Sequence, residues 1–527
     1  MSLATQLLPG QFRKNPFALL LAVVVFLWLA NELAQYVIAG DLFGLAYLAI
    51  GVIVLVSFSA MLGHWRTGLF IFIGWLFFED FARKYLGNNM AIYFAKDVLV
   101  AMVYLSFFLA YRRHKVQVFR LPFRLPLLLF FWFGVMQVFN PASTSIFFGL
   151  MGLKLYFYYI PLIFMGYALI DTEGDLQKFY PYLLGLSLVV ALLGIAQSIL
   201  GHTFLNPAVM ADDIRDLSTN YRVAPISGVI VYRPNSVFVS NGRFSFFLVP
   251  AWLFAFGYGA YLILRTRKDR ILTLLSLGTI TAAIAMAVSR GTLLWTAGSA
   301  IACVVAFLWG CPWQRGQLVR ILRSFQRAIV IGIVCLAIAG FFFPDELKNR
   351  FTFYWETLSL SSPASELVDR TSTYPLRNFL NAFESPRWPY GYGIGTSSLG
   401  TQYVTRIFHV PLPGFFVESG YGTLVIELGV VGLFLWIVMA FAIIISAWKV
   451  VRKLKGTVWF PIAFVIFWYA ALLLFPYTFA GLSPFQDFIL NSLLWISLGI
   501  LFRLPSLAAN VQANPLAAAS DPAARMT

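Results

Sequence analysis

The feature that most constrains this chain is a succession of apolar runs, each close to the length that crosses a bilayer. A helix needs about 20 apolar residues to span the hydrocarbon layer. By that measure the sequence predicts about fourteen spans, near 17–39, 42–62, 67–82, 90–111, 125–140, 146–170, 179–199, 244–264, 271–288, 291–309, 328–343, 416–448, 457–477 and 485–503. Composition agrees: 60% of the 527 residues are hydrophobic and 11% charged, against roughly one quarter charged in soluble domains. Lipid offers the backbone no hydrogen bonds, so apolar runs of this length are helices. The fold class is therefore all-α, a polytopic integral membrane protein.

The formal charge is +16, but the basic residues fall in short runs between spans, which argues for topology signals and against a nucleic-acid partner. Arg13-Lys14, Arg112-Arg113-His114-Lys115, the Arg265–Arg270 run, Arg315 to Arg327 and Lys449 to Lys455 all fall on one side. That side is expected to be cytoplasmic, with both termini on it. The first run lacks a small-residue cleavage site and reads as a span. Cys303, Cys311 and Cys335 imply neither a disulfide framework nor a metal site. No Walker, dinucleotide-binding or HExxH pattern is present, so no cofactor and no metal are expected.

Two loops on the outer side are long, from about His202 to Arg243 and from about Pro344 to Phe415. Long loops between packed elements are often binding or catalytic. The expected organisation is a transmembrane bundle over 1–343 with an outer loop near 202–243, and a cap over 344–415 with short helices at Asp345–Thr357 and Tyr374–Glu384. C-terminal spans follow over 416–505, and an Ala-, Asn- and Pro-rich tail over 506–527 reads as disordered. The outer segments carry Arg215, Arg222, Arg233, Arg243, Arg290, Arg350, Arg370, Arg377, Arg387 and Arg406, but only Lys84 and Lys348 as lysines. A planar guanidinium grips phosphate oxygens in a bidentate manner. Ion pairing with Asp212, Asp213, Asp216, Glu366, Asp369 and Glu384 is the other reading. Within spans, Lys96-Asp97 and Lys154 are either functional groups or interhelix ion pairs. Glu79-Asp80 and Arg83-Lys84 fall at a span boundary and are expected on a solvated face.

Three segments together resemble the bacterial O-antigen ligase and O-antigen polymerase family. The first is Ala287-Val288-Ser289-Arg290-Gly291-Thr292, between two spans. The second is Asp369-Arg370-Thr371-Ser372-Thr373-Tyr374, followed by Pro389 and the glycines 391, 393 and 395. The third is Glu418-Ser419, then nine residues, then Gly429 and Gly432, the frame in which ligases carry His-Asn or His-Ser. Tyr232-Arg233-Pro234-Asn235-Ser236-Val237-Phe238 is similar to the segment before the next span in the same family. The resemblance implies a GT-C-type membrane glycosyltransferase of the bacterial inner membrane, working on its periplasmic face. Its substrate would be an oligosaccharide linked to undecaprenyl (polyprenyl) diphosphate, and its acceptor a glycan, lipid A-core or protein. Glu418 in place of histidine favours polymerase over ligase.

The chemistry needs fixed cations where the diphosphate departs. Arg290 and Arg370 are the first candidates and Arg377 and Arg233 the second; snorkelling at the interface is the other reading of Arg290. A base must take the proton of the acceptor hydroxyl. Glu418, expected at a helix start, is the candidate, with helix capping or a salt bridge as its alternatives. His409 is the rival, since an unperturbed histidine titrates near neutrality. From a different class, a secondary transporter or lipid-linked glycan flippase would show symmetry between halves and broken helices at midplane; the sequence displays one dominant outer loop and no such symmetry.

Overall fold

The computed structural model describes residues 31, 33–36, 38–40, 60, 61 and 63–513, apart from 89, 114, 115, 117, 209, 211, 219, 266–269, 314, 360, 364, 368, 370–372, 415 and 416. Every expected span from 67–82 onward coincides with a helix. The two runs near 17–39 and 42–62 lie largely outside the described residues. Among the described residues, 8 helices are long and apolar enough to cross a membrane, or 9 if the pair Ile329–Phe342 and Pro344–Leu358, bent by 119°, is one span. The chain is thus an all-α polytopic membrane protein, and its described residues carry 8 or 9 of the about fourteen expected spans. Arg124–Val138 and Ile271–Met286 have only 15 and 16 residues, about 23 Å of helix at 1.5 Å per residue, short of a core of about 30 Å. Trp65–Tyr85 carries four charges in its last two turns.

The chain divides into two compact units, Met1–Phe72 with Asp97–Leu109, and Ile73–Lys96 with Ala110–Thr527. In the first, Trp65 meets Phe107 edge-on at 5.1 Å, and Gly68 lets Val103 come close. The second unit carries every candidate residue that is described. At its centre the helices Asn241–Leu264 and Phe488–Ala513 are buried along most of their membrane-length stretches. Phe488–Ala513 packs on Leu162–Leu169. Backbones touch there, because a Cβ at Gly166 would fall 2.1 Å from Ile496 O and one at Gly499 2.1 Å from Ile163 O. Small residues allow this close crossing in place of a hydrophobic driving force.

Glu79, Asp80, Arg83 and Lys84 do not form a solvated face. All four are buried, at 0 to 2% exposure. Each finds partners in the interior. Glu79 pairs with Lys96 at 2.9 Å, and Asp80 with Arg83 at 3.1 Å and with Arg243. Arg243 also holds Asp487 at 2.7 Å, and Lys84 donates to Ser236 O at 2.7 Å. Lys96 is therefore an interhelix ion-pair residue, and its ammonium also stands 3.6 Å from the Tyr93 ring centroid. Lys154 packs over the rings of Tyr93 and Phe94.

The outer segments are partly regular. Near residues 202–243 a short antiparallel hairpin pairs Tyr221–Val223 with Ile230–Tyr232, which the sequence reading did not foresee. The expected cap helices appear as Pro344–Leu358 and as Tyr374–Asn381 with a 3₁₀ turn at Ala382–Glu384; Thr401–Phe408 is a further one. The segment from Ser506 is not disordered throughout, since the last helix runs to Ala513. Leu504 and Leu507 are buried, and that packing carries the helix past Pro505. Residues 514–527 lie outside the described residues.

Candidate functional site

The long helix Gly420–Lys453 is interrupted at Gly429, whose φ of 68° and ψ of −175° break its ladder. The glycine segment of the cap plugs into this break. The amides of Tyr392 and Gly393 donate to Ile426 O and Glu427 O at 2.8 and 2.9 Å. Contact is backbone to backbone: a Cβ at Gly391 would lie 2.5 Å from Glu427 O, and one at Gly429 2.4 Å from Pro389 O. Gly391 also has φ of 76°, a region open to glycine at little cost. Sequence reasoning takes this segment as a turn that approaches the membrane; what it approaches is the kinked helix.

Glu427 completes the joint. Its carboxylate is fully buried. It accepts from Tyr156 Oη at 2.8 Å, Ser398 Oγ at 2.6 Å and the Ser397 amide at 2.9 Å. Gln486 fixes the same stretch, donating to Ser398 Oγ at 2.7 Å and accepting from the Leu399 amide at 2.8 Å. Buried carboxylates persist where such hydrogen bonds satisfy them. Glu427 escapes the list of candidates, although a lone carboxylate in an apolar run is the signal that marks Lys96 and Lys154.

Glu418 does not start the helix. Ser419 is the cap, its side chain accepting from the Gly422 amide, so Glu418 lies one residue outside and caps nothing. Its side chain is exposed and accepts the Tyr374 hydroxyl. Tyr374 opens the cap helix Tyr374–Asn381, which packs on Gly420–Lys453. Glu418 lines a cavity of about 400 Å³, together with Phe246, Trp295, Ser398, Tyr477 and Gln486. The cavity sits where the span Phe460–Ala480 loses regularity, in a π turn over Leu473–Tyr477 that contains Pro476. Such turns are frequent at functional sites.

Arg290 is the first residue of the helix Arg290–Gly310, capped by Ser289, whose side chain accepts from the Thr292 amide. The preceding Val288 has φ of 51°, a strained conformation for a β-branched residue. The Ser289 amide donates to Tyr354 Oη at 3.1 Å, which ties the turn to the cap helix Pro344–Leu358. Arg290 Nη1 stands 2.9 Å from Glu366 Oε2, out of line for a hydrogen bond. Close by is Arg233, 9% exposed, with its Nε unpartnered among the described residues. Burial, with Arg222 and Arg290 nearby, pulls this guanidinium down to about 10. The hairpin and a strained backbone at Ser236 hold the segment in place: the Arg233 amide donates to Asn220 O at 3.0 Å, and Gln197 Oε1 accepts from Asn235 and Ser236.

The structure therefore gathers Arg233, Arg290 and Arg222 at one place and Glu418 with Tyr374 at another. Arg377 is exposed on the Tyr374 helix, one turn on. His409 is exposed, in the left-handed region at the end of Thr401–Phe408, and does not line the cavity. Arg370 lies outside the described residues. The helix Arg290–Gly310 joins the two places, since Trp295 lines the Glu418 cavity. Five residues advance a helix about 7.5 Å and turn it about 140°, so Arg290 and Trp295 serve different faces. Among the described residues no three His, Cys, Asp or Glu side chains gather as a metal cluster. No family model and no curated protein matches the chain. The resemblance to the O-antigen ligase and polymerase family thus rests on the span pattern and the short motifs.

Proposed function

We propose that this protein is a bacterial inner-membrane glycosyltransferase that extends an oligosaccharide carried on a polyprenyl diphosphate, with its site on the periplasmic face. The acceptor hydroxyl oxygen bonds to the anomeric carbon while that carbon's bond to the diphosphate breaks. The bonding pair leaves on the diphosphate oxygen, and the acceptor's proton passes to Glu418. Arg290 and Arg233 receive the negative charge that develops, with Arg370 and Arg377 supplied by the cap.

The observation that carries this reading is Arg233: nine-tenths buried, beside two other guanidiniums, with no carboxylate acting on it among the described residues. Burying an unpaired cation costs several kcal/mol, and a bound phosphate oxyanion removes that cost. A second observation favours a different class. The buried set Glu79, Lys96, Asp80, Arg243 and Asp487 is of the kind that serves transporters. Incubating purified protein with a polyprenyl-diphosphate oligosaccharide separates these. A product ladder supports the polymerase, a single transfer to an added acceptor means a ligase, and no covalent product alongside lipid movement means a transporter or flippase.

A further inference from the structure

We infer that the cavity beside Glu418 is a binding site for a neutral sugar ring, with Trp295 as its stacking platform and Glu418 as its hydroxyl acceptor. This deepens the transferase reading and rests on it for the sugar's role, but the site is argued from its own walls. Its volume is about 400 Å³, at the small end of the ~300–1,000 Å³ of ligand sites. One wall is aromatic: Trp295 and Phe246 each pack on Tyr477, at 5.3 and 5.7 Å between centroids. Another part of the lining is polar and already fixed. Ser398 donates to Glu427, and Gln486 is committed to Ser398 and Leu399, so this rim cannot turn away when a ligand arrives.

Several polar groups of the lining remain uncommitted among the described residues, the buried Tyr477 hydroxyl among them. Glu418 uses Oε2 for the Tyr374 hydroxyl, and its Oε1 has no partner among the described residues. The Trp295 indole N–H likewise has none, and its ring is only half-buried. The Glu418 acceptor, the Trp295 donor, the Tyr477 hydroxyl and an apolar face match a pyranose, whose hydroxyls both give and take hydrogen bonds and whose C–H face is apolar. A phosphate would meet the Glu418 carboxylate, and a hydrocarbon would leave these polar groups unpaired. The arginines that suit phosphate face other neighbours, so the sugar and the diphosphate are read by separate faces of the helix Arg290–Gly310.

The test is saturation-transfer NMR on the protein in lipid nanodiscs, without any lipid-linked donor. The probes are methyl glycosides of glucose, galactose, mannose, rhamnose and N-acetylglucosamine, with choline as a cationic control. At least one glycoside should receive saturation on its ring C–H protons. Trp295→Ala should weaken its affinity by at least about fivefold, the scale of one lost aromatic contact. Trp295→Phe should largely restore it, and Arg233→Ala should leave it unchanged. Glu418→Gln, at an exposed position, provides a second probe should Trp295→Ala not fold, and it too should weaken binding. Saturation of no glycoside, saturation indifferent to both cavity variants, or saturation of choline in place of the sugars would each overturn the assignment. Because no turnover is needed, the two readings fail separately. Glycosides that bind to a protein unable to transfer sink the transferase, and transfer without any glycoside binding sinks this site.

Discussion

Lys96 Nζ stands 2.9 Å from Glu79 Oε1 with both side chains sealed from solvent. Truncating one member of such a pair leaves the other charge buried and alone, at a cost of about 3–5 kcal/mol. Lys96→Met is therefore expected to lower the apparent melting temperature steeply in detergent at a fixed scan rate. The double variant Lys96→Met with Glu79→Leu removes both charges and should recover most of the loss. If the single and double variants melt alike, the pair is not what holds these helices.

Gly391 and Gly456 both have positive φ, but a Cβ at Gly391 would strike Glu427 O at 2.5 Å whereas one at Gly456 meets open space. Alanine at either position bears the backbone strain, about 1–2 kcal/mol. Only at Gly391 must the cap also leave its seat on the kinked helix. Gly391→Ala should expose the stretch around residues 385–400 to limited proteolysis and abolish product formation, and Gly456→Ala should do neither. Equal protection of the cap in both variants would mean that the glycine joint is not its anchor.

Much of this architecture is legible in the sequence because bilayer thickness acts through run length, which needs no partner. The Ser289-Arg290 turn is local too, with Arg290 at a helix start, and Gly429 stands at a helix break, whereas Glu418 lies one residue outside the helix that the motif has it start. What is not legible depends on which helix faces which. Glu79, Asp80, Arg83 and Lys84 have the spacing of an exposed polar face, but partners far apart in the chain, Arg243, Ser236 and Tyr403 among them, meet them in the interior. The bond from Tyr374 to Glu418 crosses 44 positions, and that from Tyr156 to Glu427 crosses 271. No periodicity reports such register. The angle between Arg290 and Trp295 follows from helix periodicity, but that Trp295 meets Tyr477 and so lines the Glu418 cavity is tertiary.

Arg233 makes a pH prediction. Its folded-state value is lowered to about 10 by burial, so the folded protein holds this proton less tightly than the unfolded chain. Stability from this group rises with pH only above that value, and through neutrality the charge is kept. A lysine begins about two units lower than an arginine, and the same burial carries its titration toward mildly alkaline pH. Wild-type activity should stay level from pH 7 to 9 as far as this group is concerned, while Arg233→Lys loses activity across that window and Arg233→Ala is inactive throughout. A pH profile of Arg233→Lys parallel to wild type would show that charge at this position is not used.

The choice of base turns on position. Glu418 lines the cavity and is oriented by the Tyr374 hydroxyl, while His409 is exposed at the end of a separate cap helix. A positioned base contributes about 10²–10⁴-fold, so Glu418→Gln should lower kcat on that scale with thermal stability unchanged. Tyr374→Phe leaves the carboxylate in place but free to swing, and a loss of about tenfold in kcat with KM held is expected from misorientation. His409→Ala should remain within about twofold of wild type, since substitutions away from the reacting atoms remove no proton acceptor. Single-turnover rates on one lipid-linked donor compare all three directly. Should His409→Ala be the inactive variant and Glu418→Gln the active one, the cap must move to bring His409 over the acceptor, and the Tyr374–Glu418 contact becomes a latch rather than part of the chemistry.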